Sequence, residues 1–235
     1  MIKVENLTKK FGDFAALDNL SMHVEKGAIY GLVGVNGSGK TTLIRHLVGT
    51  MLPDEGICKI NDNDVNDNIE IKENLGYIPD ELFFFNNYSL KGMRDYYKKI
   101  YPRWDDTRFD KMVYEFGLNP NSRIRTFSKG MQKQAAFILV MCSFPDVLIL
   151  DEPIDGLDPI MRKKVWSYVL GDVADRQMTV LISSHNLREL EGICDWIGIL
   201  NHGHLKFEGK LDDLKSEAKD MSLEDLFFYE MGGEQ

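Results

Sequence analysis

A glycine-rich stretch, residues 34–42, carries the first candidate chemistry in this sequence. It reads Gly-Val-Asn-Gly-Ser-Gly-Lys-Thr-Thr and fits the phosphate-loop pattern G-x-x-x-x-G-K-[ST]. Glycines let successive backbone N–H groups point into one concavity that holds phosphate oxygens, and the helix that follows adds its positive N-terminal end. The lysine would reach the β- and γ-phosphates, and the first threonine would ligate Mg²⁺. The candidate nucleotide-binding residues are therefore Gly34, Asn36, Gly37, Ser38, Gly39, Lys40, Thr41 and Thr42.

Two adjacent carboxylates, Asp151 and Glu152, end the apolar run "VLIL". Taken alone, such a pair after a strand is more often a solvated turn. Ligands of open α/β sheets, however, bind beyond the carboxyl ends of the strands, so Asp151 can reach a Mg²⁺ ion held at the phosphate loop. Glu152 can accept a proton from an attacking water. Together with Lys40 on the phosphates, this pair predicts nucleotide hydrolysis.

The bulk composition limits the classes of partner. The 235 residues carry a formal net charge of −9 and are 43% hydrophobic, which suits one large or two modest globular domains. The acidic balance argues against a broad nucleic-acid surface, so we expect no nucleic-acid partner. Cys58, Cys142 and Cys194 are scattered among mostly apolar residues without a C-x-x-C pair, which predicts buried thiols in a reducing cytosol.

The sequence gives no signal for membrane insertion. The opening "MIKVENLTKK" is charged and lacks the apolar centre of a secretory signal. The longest uncharged apolar stretch, "AAFILVMCSF", is about half the length of a membrane span and is followed by Pro145 and Asp146. We therefore expect a soluble chain that reaches a membrane only through a partner.

Alternating strand and helix patterns predict how the candidate residues are positioned. "GAIYGLVG" is a continuous apolar run, typical of a strand buried on both faces, and it passes into the helical pattern "KTTLIRHLVGT". The strand-like "IKVENL" and "LSMHV" flank the turn "KKFGDF". The predicted fold class is α/β: a P-loop NTPase core with a mostly parallel sheet, an N-terminal antiparallel β-subdomain and an inserted α-helical subdomain.

The predicted insertion, residues 89–144, contains three helical segments. Ser89, Asp105 or Asp106, and Ser128 are placed to cap their first turns. We predict a single domain over residues 1–235. It comprises an ATP-binding core at about 1–88 and 145–210, the helical insertion, and a short C-terminal helical tail at about 211–235.

These motifs, in this order, resemble the nucleotide-binding subunit of an ATP-binding cassette (ABC) transporter, and the resemblance covers nearly the whole chain. "FSKGM" stands where that family has its signature, usually Leu-Ser-Gly-Gly-Gln. Ser128 and Gly130 match the signature, whereas Phe127, Lys129 and Met131 depart from it. The resemblance implies that this helix start contacts the γ-phosphate of ATP bound to a second, head-to-tail subunit. One hydroxyl, backbone N–H groups and the helix dipole suffice for that contact.

Three further residues take their roles from the same resemblance. Asp158 in "GLDP" falls in the loop that crosses to the opposite subunit; it also suits a helix cap, and both interpretations can hold. His185 in "LISSHN" falls where the family has a catalytic switch histidine that contacts the γ-phosphate. Phe11 in "KKFGDF" matches the family's adenine-stacking aromatic, with a core or turn aromatic as the alternative.

One position departs from the family. The glutamine that contacts Mg²⁺ and the catalytic water should follow "NLGYIP", where this chain has Asp80. A carboxylate can ligate Mg²⁺ but, when ionised, cannot donate a hydrogen bond. Asp80 therefore joins Thr41 and Asp151 as a candidate metal ligand, with Mg²⁺ the expected cofactor and ATP the expected substrate.

The resemblance implies the ATP-hydrolysing subunit of a bacterial ABC transporter. ATP would close two cassettes, hydrolysis would reopen them, and integral membrane subunits would move the cargo. The implied partners are ATP, a second ABC subunit in a homo- or heterodimer, and those membrane subunits, with the chain cytoplasmic and peripheral on the inner face of the cell membrane. "SKGM", Asp80 and the short tail look most like the drug- and antibiotic-export branch. Two alternatives stay open: a soluble cassette ATPase acting on ribosomes or DNA, and a regulatory module that holds ATP with little turnover.

The stretch "DELFFFNNYSL" contains three successive phenylalanines. They cannot all face one core, because a strand turns alternate residues outward and a helix spreads neighbours by about 100°. We predict that at least one of Phe83, Phe84 and Phe85 is exposed in the isolated chain or covered only by a loop. In the resembling family a short helix of the membrane subunit docks here, so we expect the exposed ring to take part in that assembly.

Overall fold

A computed structural model describes residues 1–154, 156–185 and 187–217 of the protein. The strands of this part of the chain form two sheets. In chain order they are β1 (Ile2–Phe11), β2 (Phe14–Val24), β3 (Ile29–Val33), β4 (Glu55–Ile60), β5 (Asn63–Asp64), β6 (Leu75–Ile78), β7 (Val147–Asp151), β8 (Thr179–Ser184), β9 (Trp196–Asn201) and β10 (His204–Lys210).

The phosphate loop and the Asp-Glu pair both lie at the ends of strands of the larger sheet. Its order is β10-β9-β3-β8-β7-β6, and neighbouring strands are parallel except for the β9–β10 pair. Every residue of β3, β7 and β8 is buried, as expected of apolar runs covered on both faces. Because the chain runs in the same direction in these strands, the phosphate loop after β3 and the Asp-Glu pair at the end of β7 lie at the same end of the sheet.

The smaller sheet, of order β2-β1-β4-β5, is antiparallel. A two-residue turn joins β1 to β2 and leaves Phe11 opposite Phe14. Buried apolar residues of β1 and β2, among them Ile2, Leu7 and Leu20, join β3 residues in one core cluster. The predicted fold class is therefore confirmed, with a mostly parallel core sheet and an antiparallel N-terminal sheet.

The described helices are α1 (Lys40–Leu47), α2 (Ile69–Glu73), α3 (Leu90–Ile100), α4 (Asp106–Phe116), α5 (Lys129–Met141), α6 (Pro159–Arg176), α7 (Leu187–Leu190) and α8 (Leu211–Glu217). The predicted caps are confirmed for α3, α4 and α5. Ser89 accepts from the Gly92 N–H, and Ser128 accepts from the Met131 N–H. Asp105, rather than Asp106, caps α4.

Helices α3, α4 and α5 lie between β6 and β7 in the chain and share an apolar core with the larger sheet. Phe109, Ala135 and Leu139 belong to the same buried cluster as Val33 and Leu150. The division of the chain into a core, an insertion at 89–144 and a tail at 211–235 stays a prediction. Within that tail α8 is helical, and residues 218–235 lie outside the described residues.

Candidate nucleotide-binding and catalytic site

The phosphate loop lies tightly against neighbouring backbone. Gly39 precedes α1 in the left-handed region, with φ of 114°, and a Cβ there would lie 2.7 Å from the carbonyl oxygen of Ala16. A Cβ on Gly34 would lie 2.4 Å from the carbonyl oxygen of Leu200. Both distances are below van der Waals contact, so these two positions admit only glycine. The loop conformation is therefore encoded in its glycines.

The Lys40 ammonium is buried at the start of α1. Its Nζ atom donates to the carbonyl oxygen of Gly34 at 2.6 Å and lies 3.6 Å from Oε1 of Glu152. The side chain is only 7% exposed. A buried ammonium needs partners of this kind, and here the partners are the loop carbonyl and the carboxylate predicted to act as base.

Glu152 sits where β7 ends and makes polar contacts with both its side chain and its backbone. Its Oε2 lies 3.0 Å from Nδ1 of His185, whereas Lys40 is paired with Oε1. Its N–H donates to Oγ of Ser183, and its carbonyl oxygen accepts from Nζ of Lys133 at 2.9 Å. The structure thus brings the three predicted catalytic residues together around one carboxylate.

The backbone of Glu152 adopts φ of 48°, a left-handed conformation that non-glycine residues rarely adopt. Such a conformation persists where the surroundings hold it, and it occurs often at functional sites. Ser183 and Lys133 supply those restraints. Neither residue was selected from the sequence, because a serine inside a strand and a lysine inside a helix carry no local signal of such a contact.

Thr41 and Asp151, two of the candidate metal ligands, form a hydrogen-bonded pair beside this cluster. The Thr41 hydroxyl donates to Oδ2 of Asp151 at 3.0 Å, and the Ser183 hydroxyl donates to Oδ1 at 2.5 Å. Asp151 is buried. No group of three or more His, Cys, Asp or Glu side chains suited to a metal occurs among the described residues. Mg²⁺ at nucleotide sites is bound by one or two carboxylates plus phosphates and waters, so a single hydroxyl–carboxylate pair fits that ion.

A cavity of about 350 Å³ connects the phosphate loop to the β1–β2 turn, a volume in the range of small-molecule sites. Two exposed rings, Phe11 and Phe14, form one side of it. Phe14 was not selected from the sequence, although it follows Phe11 across a two-residue turn and the strand register places it opposite Phe11. The described lining is Phe11, Phe14, Ala16, Asn36, Gly37, Gly39, Lys40, Thr41, Thr42, Asp80 and Glu152.

Asp80 also lines this cavity, just beyond β6. Its Oδ1 lies 3.6 Å from Nζ of Lys133, and its side chain is half exposed. The carboxylate that replaces the expected glutamine is therefore paired with a lysine from α5. Lys133 contacts Asp80 and the Glu152 carbonyl with the same ammonium.

Comparison with known proteins gives the family. A family model described as "ABC transporter" matches residues 17–155, a span that includes the phosphate loop, helices α3 to α5 and the Asp-Glu pair. The chain belongs to the ABC transporter family.

Individual relatives of this ABC protein agree with that result. The ABC transporter ATP-binding protein YtrB of Bacillus subtilis (strain 168) is 33% identical over 217 residues, 92% of this chain and 74% of that protein. The bacitracin transport ATP-binding protein BcrA of Bacillus licheniformis is 34% identical over 222 residues, 93% of this chain and 72% of that protein. A solved structure of an ATP-binding subunit of an ABC transporter matches with a TM-score of 0.90 at 26% identity, over 99% of this chain and 100% of that one. This chain is accordingly an ATP-binding subunit of an ABC transporter and an ATPase by family.

The predicted signature residues, Ser128 and Gly130, lie outside the described lining of this cavity. Ser128 is exposed at the start of α5, and the described lining of the cavity includes neither Ser128 nor Gly130. A Cβ on Gly130 would lie 3.2 Å from the carbonyl oxygen of Gly156, so the signature adjoins the loop before α6. Asp158 caps α6 by accepting from the N–H groups of Ile160 and Met161, and the capping interpretation of this residue is confirmed.

The three phenylalanines after β6 follow the prediction. Phe83 is 79% exposed, Phe85 is also exposed, and Phe84 packs against the core. The ring of Phe85 contacts Phe83, Tyr88 and Tyr96 at centroid distances of 6.0, 5.1 and 5.0 Å. These four rings form an exposed aromatic patch that joins the loop after Asp80 to α3.

Cysteines and the remaining histidines lie outside the candidate site. All three cysteines are buried and free, as predicted, and burial raises the pKa of Cys58 and of Cys142 to about 12. His23, His202 and His204 are exposed, and His46 is buried in α1. No helix in the described part of this ABC subunit is long and apolar enough to span a membrane.

Proposed function

We propose that this chain binds Mg²⁺–ATP in the cavity beside Phe11 and hydrolyses it to drive transport through separate integral membrane subunits. The observation that carries the proposal is the polar cluster around Glu152. Its carboxylate lies within 3.6 Å of Lys40 and 3.0 Å of His185, directly beside the Thr41–Asp151 pair. A proton acceptor, a phosphate-binding cation and metal-binding oxygens thus meet at one point.

Different residues of the cavity would bind the phosphates and the adenine of ATP. The phosphates would lie on the backbone N–H groups of the phosphate loop and the N-terminus of α1. The adenine would stack on Phe11, with Phe14 as the neighbouring ring. The proposed nucleotide-binding set is Phe11, Gly34, Asn36, Gly37, Ser38, Gly39, Lys40, Thr41 and Thr42, extended by Phe14.

The chemical roles follow from the contacts of these side chains. Lys40 would bind the β- and γ-phosphates. The Glu152 carboxylate would accept a proton from the attacking water, and His185 would contact the γ-phosphate. Thr41 and Asp151 would hold Mg²⁺, which supplies neutralisation of the charge on the phosphate oxygens. Asp80 is the third proposed ligand.

A second ABC subunit would complete the site. Ser128 is exposed at the start of α5 and Gly130 lies in the first turn, both outside the described lining of their own cavity. A hydroxyl, backbone N–H groups and the helix dipole can there meet a γ-phosphate held by another chain. The simplest arrangement is two copies of this chain, head to tail, with the loop at Asp158 crossing between them. Residues 89–144 would then act as the unit that presents the signature.

The exposed aromatic patch is the proposed docking site for the membrane subunits. Phe83 and Phe85 lie on the segment that joins the cavity, at Asp80, to the helices that carry the signature. The chain would accordingly lie on the cytoplasmic face of the cell membrane. The similarity to a bacitracin transport protein favours export of a drug or antibiotic.

A regulatory module that holds ATP with little turnover is the second candidate, and Asp80 is the residue that favours it. The test is phosphate release by purified wild-type and Glu152→Gln proteins, with Glu55→Gln, an exposed site on β4, as the matched control. We expect steady release by the wild type and the control, and a fall of about 10²- to 10⁴-fold in Glu152→Gln with ATP binding retained. Phosphate release near the wild-type rate in Glu152→Gln would show that another residue is the base, and Asp80 would be the first candidate for that role.

A further inference from the structure

Lys133 lies on α5, five positions after Ser128, and its side chain is only 15% exposed. Its ammonium donates to the carbonyl oxygen of Glu152 at 2.9 Å and lies 3.6 Å from the carboxylate of Asp80. One cation therefore joins three segments of the ABC subunit: the signature helix, the end of β7 and the loop after β6.

The contact between Lys133 and Glu152 restrains the backbone of Glu152, which has an unfavourable conformation. Glu152 has a left-handed backbone with φ of 48°. Its N–H is held by Ser183 and its C=O by Lys133. Without the lysine the carbonyl would lose a charge-assisted hydrogen bond, and the peptide could relax toward an ordinary conformation. The carboxylate would then move relative to Lys40 and His185.

The contact between Lys133 and Asp80 offsets the negative charge of the Asp80 carboxylate. Asp80 and Glu152 both line the cavity proposed to receive the phosphates of ATP. Unpaired, Asp80 would repel those phosphates. Paired with Lys133 it contributes no net charge, so the replacement of the expected glutamine by a carboxylate is electrostatically compensated within the chain.

We propose that Lys133 is a positioning residue for ATP hydrolysis, fixing the backbone of Glu152 and neutralising Asp80. The inference rests on the proposed function, in which Glu152 is the base. It also gives the signature a direct connection to its own chain's base. Ser128 and Lys133 are about 7.5 Å apart along the axis of one helix, so a shift of α5 on contact with the partner's nucleotide would be transmitted to Glu152.

The test compares Lys133→Met, which keeps the aliphatic stem, with Lys133→Gln, whose amide can still donate to the Glu152 carbonyl. Lys111→Met, at an exposed site on α4, is the matched control. We expect kcat to fall about 10- to 100-fold in Lys133→Met, to fall less in Lys133→Gln, and to stay unchanged in Lys111→Met. Retained ATP binding in each variant shows that the protein is folded. If Lys133→Met does not bind ATP, the comparison rests on Lys133→Gln, which leaves Asp80 equally unpaired; wild-type values of both kcat and the KM for ATP in Lys133→Gln would overturn the inference.

Adding Asp80→Asn separates the two roles of the lysine. We expect Lys133→Met to raise the KM for ATP a few-fold, because Asp80 is left unpaired. Because Asp80 is also a proposed Mg²⁺ ligand, the double variant is compared with Asp80→Asn alone, and we expect the two to share the same KM while the double variant has the lower kcat. A wild-type kcat in Lys133→Met, or a kcat in the double variant equal to that of Asp80→Asn alone, would overturn the positioning role. Glu152→Gln assayed in parallel distinguishes the two proposals: if it loses turnover while Lys133→Met does not, only this inference fails, and if it keeps turnover the proposed function fails.

Discussion

The ammonium of Lys40 lies 3.6 Å from the carboxylate of Glu152, in a cluster where both side chains are largely buried. The proposed phosphate-binding cation and the proposed base thus form an ion pair. Loss of either side chain would leave the other charge largely buried without this counter-charge, so the two residues are coupled.

Replacing Lys40 by alanine should remove most of the affinity for ATP. The change deletes the charge directed at the β- and γ-phosphates and leaves Glu152 without its cation. A charge-assisted hydrogen bond contributes about 1.5–3 kcal/mol, so we expect Kd to rise about 10- to 150-fold. Calorimetric titration at physiological salt measures this, with the partly exposed Lys59→Ala as control. Unchanged binding by Lys40→Ala would contradict the phosphate-loop assignment.

Stability should depend on pH through His46 of α1. Burial lowers the pKa of His46, whose Nδ1 lies 2.7 Å from the carbonyl oxygen of Thr42. The unfolded chain then binds more protons than the folded chain, so stability falls as pH drops below about 6.5, by at most about 1.4 kcal/mol per pH unit.

The change His46→Gln tests this dependence through the melting temperature. Between about pH 7.5 and 5.5 we expect Tm to fall less in His46→Gln than in the wild type, because the titrating group is gone. His23→Gln, at an exposed site on β2, should keep the wild-type slope. If Tm changes with pH equally in all three proteins, a group other than His46 determines the loss of stability at acidic pH.

Replacing Phe83 by serine should weaken assembly with the membrane subunits and leave basal ATPase largely intact. Phe83 is 79% exposed and lies outside the described cavity lining. An aromatic anchor can contribute about 2 kcal/mol or more at an interface, a loss of roughly 30-fold in affinity. Pull-down from membranes and transport both report it, with the exposed Tyr114→Ser on α4 as control. If Phe83, Phe84 and Phe85 can each be replaced singly without effect, the docking site lies elsewhere.

Local sequence patterns were enough to predict the main strands and helices of this molecule. The apolar run "GAIYGLVG" predicted the buried strand β3, and the phosphate-loop spacing predicted a loop and then a helix directly after it. Ser89 and Ser128 each preceded a helical pattern, and both are caps. These features depend on neighbours in sequence, where periodicity and capping carry the information.

The finer structure of the site depends on contacts between distant segments. Lys133 reaches Asp80 and Glu152 from another element, and Ser183 holds both Asp151 and Glu152 from β8. The residues next to them in sequence do not predict such contacts. The left-handed backbone of Glu152 could not be predicted from the sequence either, because glutamate has no preference for that conformation.

Replacing Ser128 by arginine should leave ATP binding by the monomer intact and abolish ATP-dependent dimerisation. The residue is exposed and lies outside its own chain's described cavity lining, so a bulky cation there would obstruct only the partner's nucleotide. Nucleotide titration of dilute protein and light scattering with ATP measure the two effects. An Ser128→Arg chain that binds no ATP as a monomer would place the signature in its own site.

Phosphate release by an equal mixture of Ser128→Arg and Lys40→Ala chains tests most directly whether two subunits build each site. In a mixed dimer one composite site carries both lesions and the other carries neither. Each variant alone should be inactive, whereas the mixture should recover about a quarter of wild-type release, since half of the dimers are mixed and each has one intact site. A mixture that releases no more phosphate than the sum of the two variants alone would contradict the head-to-tail account.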